Sequence, residues 1–273
     1  MLSREQKVQE CDATKDDSST VTGYKNILSI NIFKTNSMKK IGVLMLSLFL
    51  AVGIFAQQVN DPNAEVREAK NYHGISVSNA FDVYLSQSNE EAVAVSAATA
   101  KDREMITVEV KDGILYVGIE KGLKWTKGDR KLKAYISFKQ IDKINVSGAC
   151  DVFISGTLKA DKLSIHQSGA SDFKGKLDVK ELTVDISGAS DIMVSGMAGK
   201  LDVEASGASD FKGFDLITDY CDVRASGASG IRITVNKELS AHASGASDIK
   251  YKGDGLIRDL KTGGASSVSR SRS

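Results

Sequence analysis

The chain has 273 residues, with 36 Lys plus Arg against 35 Asp plus Glu, 3 Cys and a single Pro. A net charge so close to zero argues against a grip on nucleic acid, which rests on neutralising phosphates. An aromatic content of 6% beside 41% hydrophobic residues leaves material for a core but few platforms on which sugars could stack.

Residues 1–37 are polar and without period, and read as an over-extended N-terminal stretch. Residues 38–56, MKKIGVLMLSLFLAVGIFA, read as a signal peptide: two lysines, an apolar run from Ile41 and small Ala56 at the cleavage position. That run of 16 residues is shorter than the roughly 20 a spanning helix needs, so no stable membrane span is expected after cleavage. Removing residues 1–56 leaves 29 basic against 30 acidic residues. Residues 57–71 read as a linker, and 72–273 as a single domain.

Residues 72–140 carry irregular β signals. Period-two alternation marks strands near 80–86, 91–97, 106–120 and 131–138, and Asp112 with Gly113 forms a hairpin turn signal. From 144 to 270 the chain repeats itself. SGACD begins at Ser147, SGASD at Ser168, Ser187, Ser206 and Ser244, SGASG at Ser226 and GGASS at Gly263, with intervals of 21, 19, 19, 20, 18 and 19 residues. VSNAFDVYLS, containing Ser78, is an eighth, diverged copy. Before each turn, residues such as Leu201, Val203 and Ala205 alternate with Asp202 and Glu204, the pattern of a half-buried strand. The prediction is an all-β, single-stranded parallel β-helix with rungs of about 19 residues and a right-handed coil, each rung running strand, SGA turn, strand and variable return loop. The turn glycines should take positive φ. The turn alanines, Ala149 to Ala265, should stack at a tight inner corner, and the Ser and Asp side chains should bond turn amides left free by the ladder.

The stretches GISVSNAFDVYLSQ at 74–87, the VEVKDGILYVGI hairpin, INVSGACDVFISG at 144–156 and the SGASD ladder together resemble the family called "putative auto-transporter adhesin, head GIN domain". The resemblance covers some 200 residues. It implies an exported β-solenoid of unknown molecular function and supplies no catalytic residues. The expectation is a non-enzymatic, adhesin-like or structural module of the periplasm, outer-membrane surface or medium. Its partner would be an envelope protein or a polysaccharide. The alternative is a β-helix lyase or hydrolase acting on polysaccharide.

Chemistry-bearing residues are few, and no cofactor is expected. Asp82, Asp151, Asp172, Asp191, Asp210 and Asp248 form a column interrupted by Gly230, with Asp172, Asp191, Asp210 and Asp248 as cation candidates. Lys174, Lys212, Arg232 and Lys250, two residues on, should neutralise it. His166 and His242 share an outward column but lie four rungs apart, roughly 19 Å, too far for one metal. His73 shows no acid near it in sequence. Cys150 and Cys221 fall in different columns, which speaks against a disulfide. No G-x-S-x-G elbow is present. Trp125 with Lys124, Lys127 and Arg130 forms the one basic, aromatic-bearing cluster, a candidate contact for an anionic glycan or a lipid head group.

Overall fold

The computed structural model describes residues 60–120 and 131–271, so the expected extension, the signal peptide and the Trp125 cluster lie outside the described residues. The repeats form a parallel β-solenoid of about seven turns. Five long strands make its body: β9 (Asp151–Gln167), β10 (Asp172–Ile186), β11 (Asp191–Ala205), β12 (Asp210–Ala225) and β13 (Gly230–Ala243). Each pairs in parallel with the next along nearly its whole length. The return leg expected as a loop is therefore part of the strand, because its backbone groups also find partners one rung away.

The last turns are β14 (Asp248–Lys252), β15 (Leu256–Thr262) and β16 (Ser267–Arg270). Here β15 pairs only with β13 and β16 only with β14, so Ile257 and Leu260, which follow inward columns, are each 42% exposed.

Upstream, β2 (Gly74–Val77) and β3 (Asp82–Gln87) form the leading rung. β8 (Lys143–Val146) completes the first regular turn by pairing with β2 and β9. The diverged copy is a true rung: Asn79 holds φ 84°, and the Ala149 amide donates to its carbonyl at 2.6 Å. β5 (Ile106–Lys111) and β6 (Ile114–Ile119) form the expected hairpin, with Asp112 and Gly113 both at positive φ.

The leading edge is covered. β7 (Lys133–Phe138) pairs with β3, β4 (Ala92–Ser96) runs antiparallel on β7, and β1 (Glu65–Arg67) runs antiparallel on β4. β1 lies inside the segment read as a linker. That segment is also held by the Tyr135 hydroxyl, which donates to Asp61 at 2.9 Å, and by Arg103, which bonds Glu65 at 2.7 Å. Arg103 belongs to a helix absent from the sequence reading, α1 (Ala100–Glu104), whose Thr99 cap accepts from the Asp102 amide.

The corner chemistry corrects the expectation in two respects. First, the ladder runs straight through the turn: Ala170, Ala189, Ala208, Ala228 and Ala246 each donate an amide to the glycine carbonyl of the preceding rung at 2.7–2.8 Å. None of these alanine amides waits for a side chain, while the expected serine bonds are present elsewhere in the turns: the Ser244 and Gly263 amides donate also to the Ser247 and Ser266 hydroxyls at 3.2 and 3.1 Å. Second, the alanines are exposed, and the inner corner belongs to the following residue: Cys150, Ser171, Ser190, Ser209, Ser229 and Ser247 are buried. A three-residue bend breaks the period-two alternation, so position in the repeat does not reveal direction. Serine suits the inner site because it is small and satisfies its own hydroxyl. Ser209, Ser229 and Ser247 donate to the carbonyl three residues back at 2.7–2.8 Å. Ser190→Leu should therefore cost about 3 kcal/mol or more through overpacking and a lost buried bond, and Ala189→Leu under about 0.5 kcal/mol. Equal chemical denaturation midpoints for the two variants would contradict this assignment.

Inside, each rung contributes matching apolar side chains. Phe173, Ile192, Phe211, Ile231 and Ile249 stack as expected, all fully buried.

Candidate functional site

The Asp column is continuous in register: Asp82, Asp151, Asp172, Asp191, Asp210, Gly230, Asp248 and finally Ser267. Half of its carboxylates, those of Asp191, Asp210 and Asp248, turn to the basic column; Lys174 makes no ion pair among the described residues, and Asp151 is bonded by the Asp172 backbone amide. Lys212 bridges Asp191 and Asp210, Arg232 reaches Asp210 at 3.5 Å, and Lys250 reaches Asp248 at 3.1 Å. The Ser267 hydroxyl, followed by Lys250, holds the Asp248 carboxyl below the ordinary carboxylate range. At the other end, burial first and then the Asp172 and Asp82 charges push Asp151 upward. Beside this end the second column is aromatic, with the Tyr84 ring stacked between Tyr135 and Phe153 at 5.2 and 5.6 Å.

Among the described residues, no group of three or more His, Cys, Asp or Glu side chains is gathered closely enough to hold a metal ion. Because the paired carboxylates are half-exposed, Asp191→Ala should shift stability by less than about 1 kcal/mol. Replacing chelator with millimolar calcium should leave the melting temperature unchanged. A rise of several degrees would mean the column binds the cation in the native state.

A second outward column runs Asn145, His166, Asp185, Glu204, Arg224, His242 and Lys261. It keeps His166 and His242 four rungs apart, as read from the repeat. Neither imidazole stands alone, since His166 faces Asp185 at 3.5 Å and His242 faces Asp259 at 2.8 Å. His73, without an acid near it in sequence, meets Asp142 at 3.0 Å across 69 residues. Arg224 anchors a cluster of Asp222, Glu204 and Asp202 at 3.1, 3.2 and 3.7 Å. Burial, then the neighbouring Asp222, raises the Asp202 carboxyl.

Between this column and the turns lies an open crease of about 540 Å³, which sequence reasoning did not find. Arg224, His242 and Lys261 flank one side, Ser206, Ser226 and Ser244 the other, with Ala205, Ala225 and Ala243 between. The available signal was the inward column before the turn, which changes from Gln167 and Ile186 to three alanines.

Both described cysteines are free, buried and in separate columns. Burial raises the Cys150 thiol and lifts Cys221 to about 12, the Thr218 hydroxyl at 2.7 Å opposing the second shift. With so little thiolate at pH 8, both should stay unmodified by a thiol reagent in the folded protein and react after denaturation, as mapped by mass spectrometry. Rapid labelling of Cys221 in the native state would contradict this.

These features define the described residues as a parallel β-solenoid with an antiparallel cap, clad in charge ladders and bearing a shallow polar crease. The chain belongs to the family described as "putative auto-transporter adhesin, head GIN domain", which matches residues 71–255. No curated protein matches it. Among solved structures it resembles a "putative adhesin" from Bacteroides fragilis at 23% identity and TM-score 0.72, covering 76% of this chain and 95% of that one. A "putative adhesin" from Parabacteroides distasonis gives 21% identity and TM-score 0.62, with 76% and 96% covered. A "putative lipid binding protein" from the same species gives 21% and 0.57, with 78% and 98% covered. At these identities the likeness establishes the fold.

Proposed function

We propose that the chain is an exported, adhesin-like module of the bacterial cell envelope that binds its partner, a polysaccharide or surface protein, without transforming it. The observation carrying this reading is the crease beside the Asp185–Lys261 column. It offers stacked serine hydroxyls and a row of polar side chains repeating at the rung spacing, suited to an extended ligand laid along the solenoid. Its charges are committed to one another: Arg224 to three carboxylates, His242 and Lys261 to Asp259. Recognition therefore rests on hydrogen bonding more than on net charge. Family membership supports the adhesin-like assignment and an exported location.

The test is binding of the purified protein to a panel of bacterial and host polysaccharides and to envelope proteins, alongside Ser226→Tyr, which fills the crease. Loss of binding in this variant is the expected result. Unchanged binding would remove the crease from the mechanism, and release of cleaved sugar products would replace the reading with the enzymatic one.

A further inference from the structure

On β11 and β12 a stretch of the surface departs from the charge ladders. Met197 and Ile217 are register partners on β11 and β12 and are 56% and 51% exposed. Met193, four residues before Met197 in register with Lys174 and Lys212, and Tyr220, three residues after Ile217 in register with Lys200, are exposed on the same two strands. The fold does not demand apolar residues here, because the same column continues as Lys159 and Asp178 on one side and Thr234 on the other. The backbone is also distorted at this place. Gly213 and Ile217 pair with consecutive residues of β13, so Phe214–Leu216 have no counterparts there, and a second break follows between Thr218 and Tyr220. Bulges of this kind re-aim side chains and recur next to functional sites.

The surroundings are cationic. Lys252 lies 4.5 Å over the Phe214 ring and Lys237 5.4 Å over Tyr220. Of the nearby acids, Asp178 and Asp219 are taken by Lys159 and Lys237, and exposed Asp215, the register partner of Ser195, has no ion pair among the described residues. Against it stand three lysines, Lys176, Lys200 and Lys252, that have no carboxylate within ion-pair distance among the described residues.

We infer that this ridge is a peripheral contact for an anionic lipid bilayer, with Met193, Met197, Ile217 and Tyr220 entering the headgroup boundary and the lysines meeting lipid phosphates. Four apolar side chains on two adjacent rungs fall short of the roughly 1,000 Å² that a stable protein interface needs. Shallow insertion assisted by a basic rim requires no such area. The inference is independent of the crease, which lies along a different column.

The methionines provide a local readout. On the full chain, the rates of peroxide oxidation of Met193 and Met197 are measured by peptide mass spectrometry with phosphatidylglycerol vesicles, with phosphatidylcholine vesicles and without lipid. The expected result is at least about fivefold protection by the anionic vesicles alone. It should be lost at high salt and in the Lys176→Gln, Lys200→Gln, Lys252→Gln variant, and reduced in Ile217→Gln. An apolar segment elsewhere in the chain could bring the protein to vesicles but would not shield these two sulfurs. Equal rates with and without phosphatidylglycerol, equal protection by phosphatidylcholine, or protection that survives the lysine substitutions would each overturn the inference.

Discussion

Gly188→Ala should lower the melting temperature by about 10 °C, whereas Gly263→Ser should leave it nearly unchanged. Gly188 sits at φ 82°, a conformation that costs other L-residues about 1–2 kcal/mol. A Cβ built there would lie 2.4 Å from the Gly169 carbonyl oxygen, the acceptor for the Ala189 amide at 2.8 Å. Relieving that clash means parting two rungs at the corner and weakening a ladder bond, so the total is about 3–5 kcal/mol. In a domain of this length each kcal/mol corresponds to about 2–4 °C. Gly263 has no atom within 4 Å of its would-be Cβ and no positive φ, and serine there restores the sequence of the other turns. Calorimetry of the two variants decides the matter: similar shifts would mean that the corner does not pack rung on rung as described.

The second large effect concerns compensation inside the core. Two residues after each inward residue of the first leg comes another site, and the pairs read Phe173–Gly175, Ile192–Val194, Phe211–Gly213 and Ile231–Ile233. Large is followed by nothing, medium by medium. The reason is visible at β12, where a Cβ on Gly213 would lie 2.5 Å from Phe211 Cε1. Phe211→Ile alone should cost about 2 kcal/mol by leaving a void, and Gly213→Val alone about 3 kcal/mol by overpacking. The double variant reproduces the pairing of the preceding rung and should recover most of both losses. A double-mutant cycle should give a coupling of at least about 2 kcal/mol in favour of the pair. Simple additivity would show that the two sites do not share volume.

Much of this architecture was legible because a repeat makes every position a column. Once Asp172 is aligned with Asp191, the stacking of Phe173 on Ile192 and of His166 beside Asp185 follows by counting. The corner direction was not legible, since S-G-A-S gives the identity of four residues but not which of them the bend turns inward. The continuous return leg escaped because its residues vary, while the hydrogen bonds that make it a strand belong to the backbone. The cap was only half visible. Its strands alternate, but antiparallel pairing of β4 on β7 and the meeting of His73 with Asp142 depend on contacts across long stretches of irregular sequence. Thr99 followed by Asp102 was a readable helix cap. The crease left a trace in the change from Ile186 to Ala205, Ala225 and Ala243, whose meaning appears only when the register sets the alanines side by side.

The alternation of Phe–Gly with Ile–Val and Ile–Ile rungs has a consequence for how the chain finds its own register. Near-identical turns invite a folding chain to stack one rung out of place, and nothing in S-G-A-S opposes the slip. A slip of one rung, however, sets two large rings against each other or leaves two gaps, so the core volumes act as a two-state index along the axis. A slip of two rungs would pass that check. It meets instead the unequal lengths of β12 and β13, whose pairing already breaks twice and cannot be transferred to another pair of strands without unpairing more backbone. The irregular rungs thus serve as addresses that number an otherwise interchangeable set.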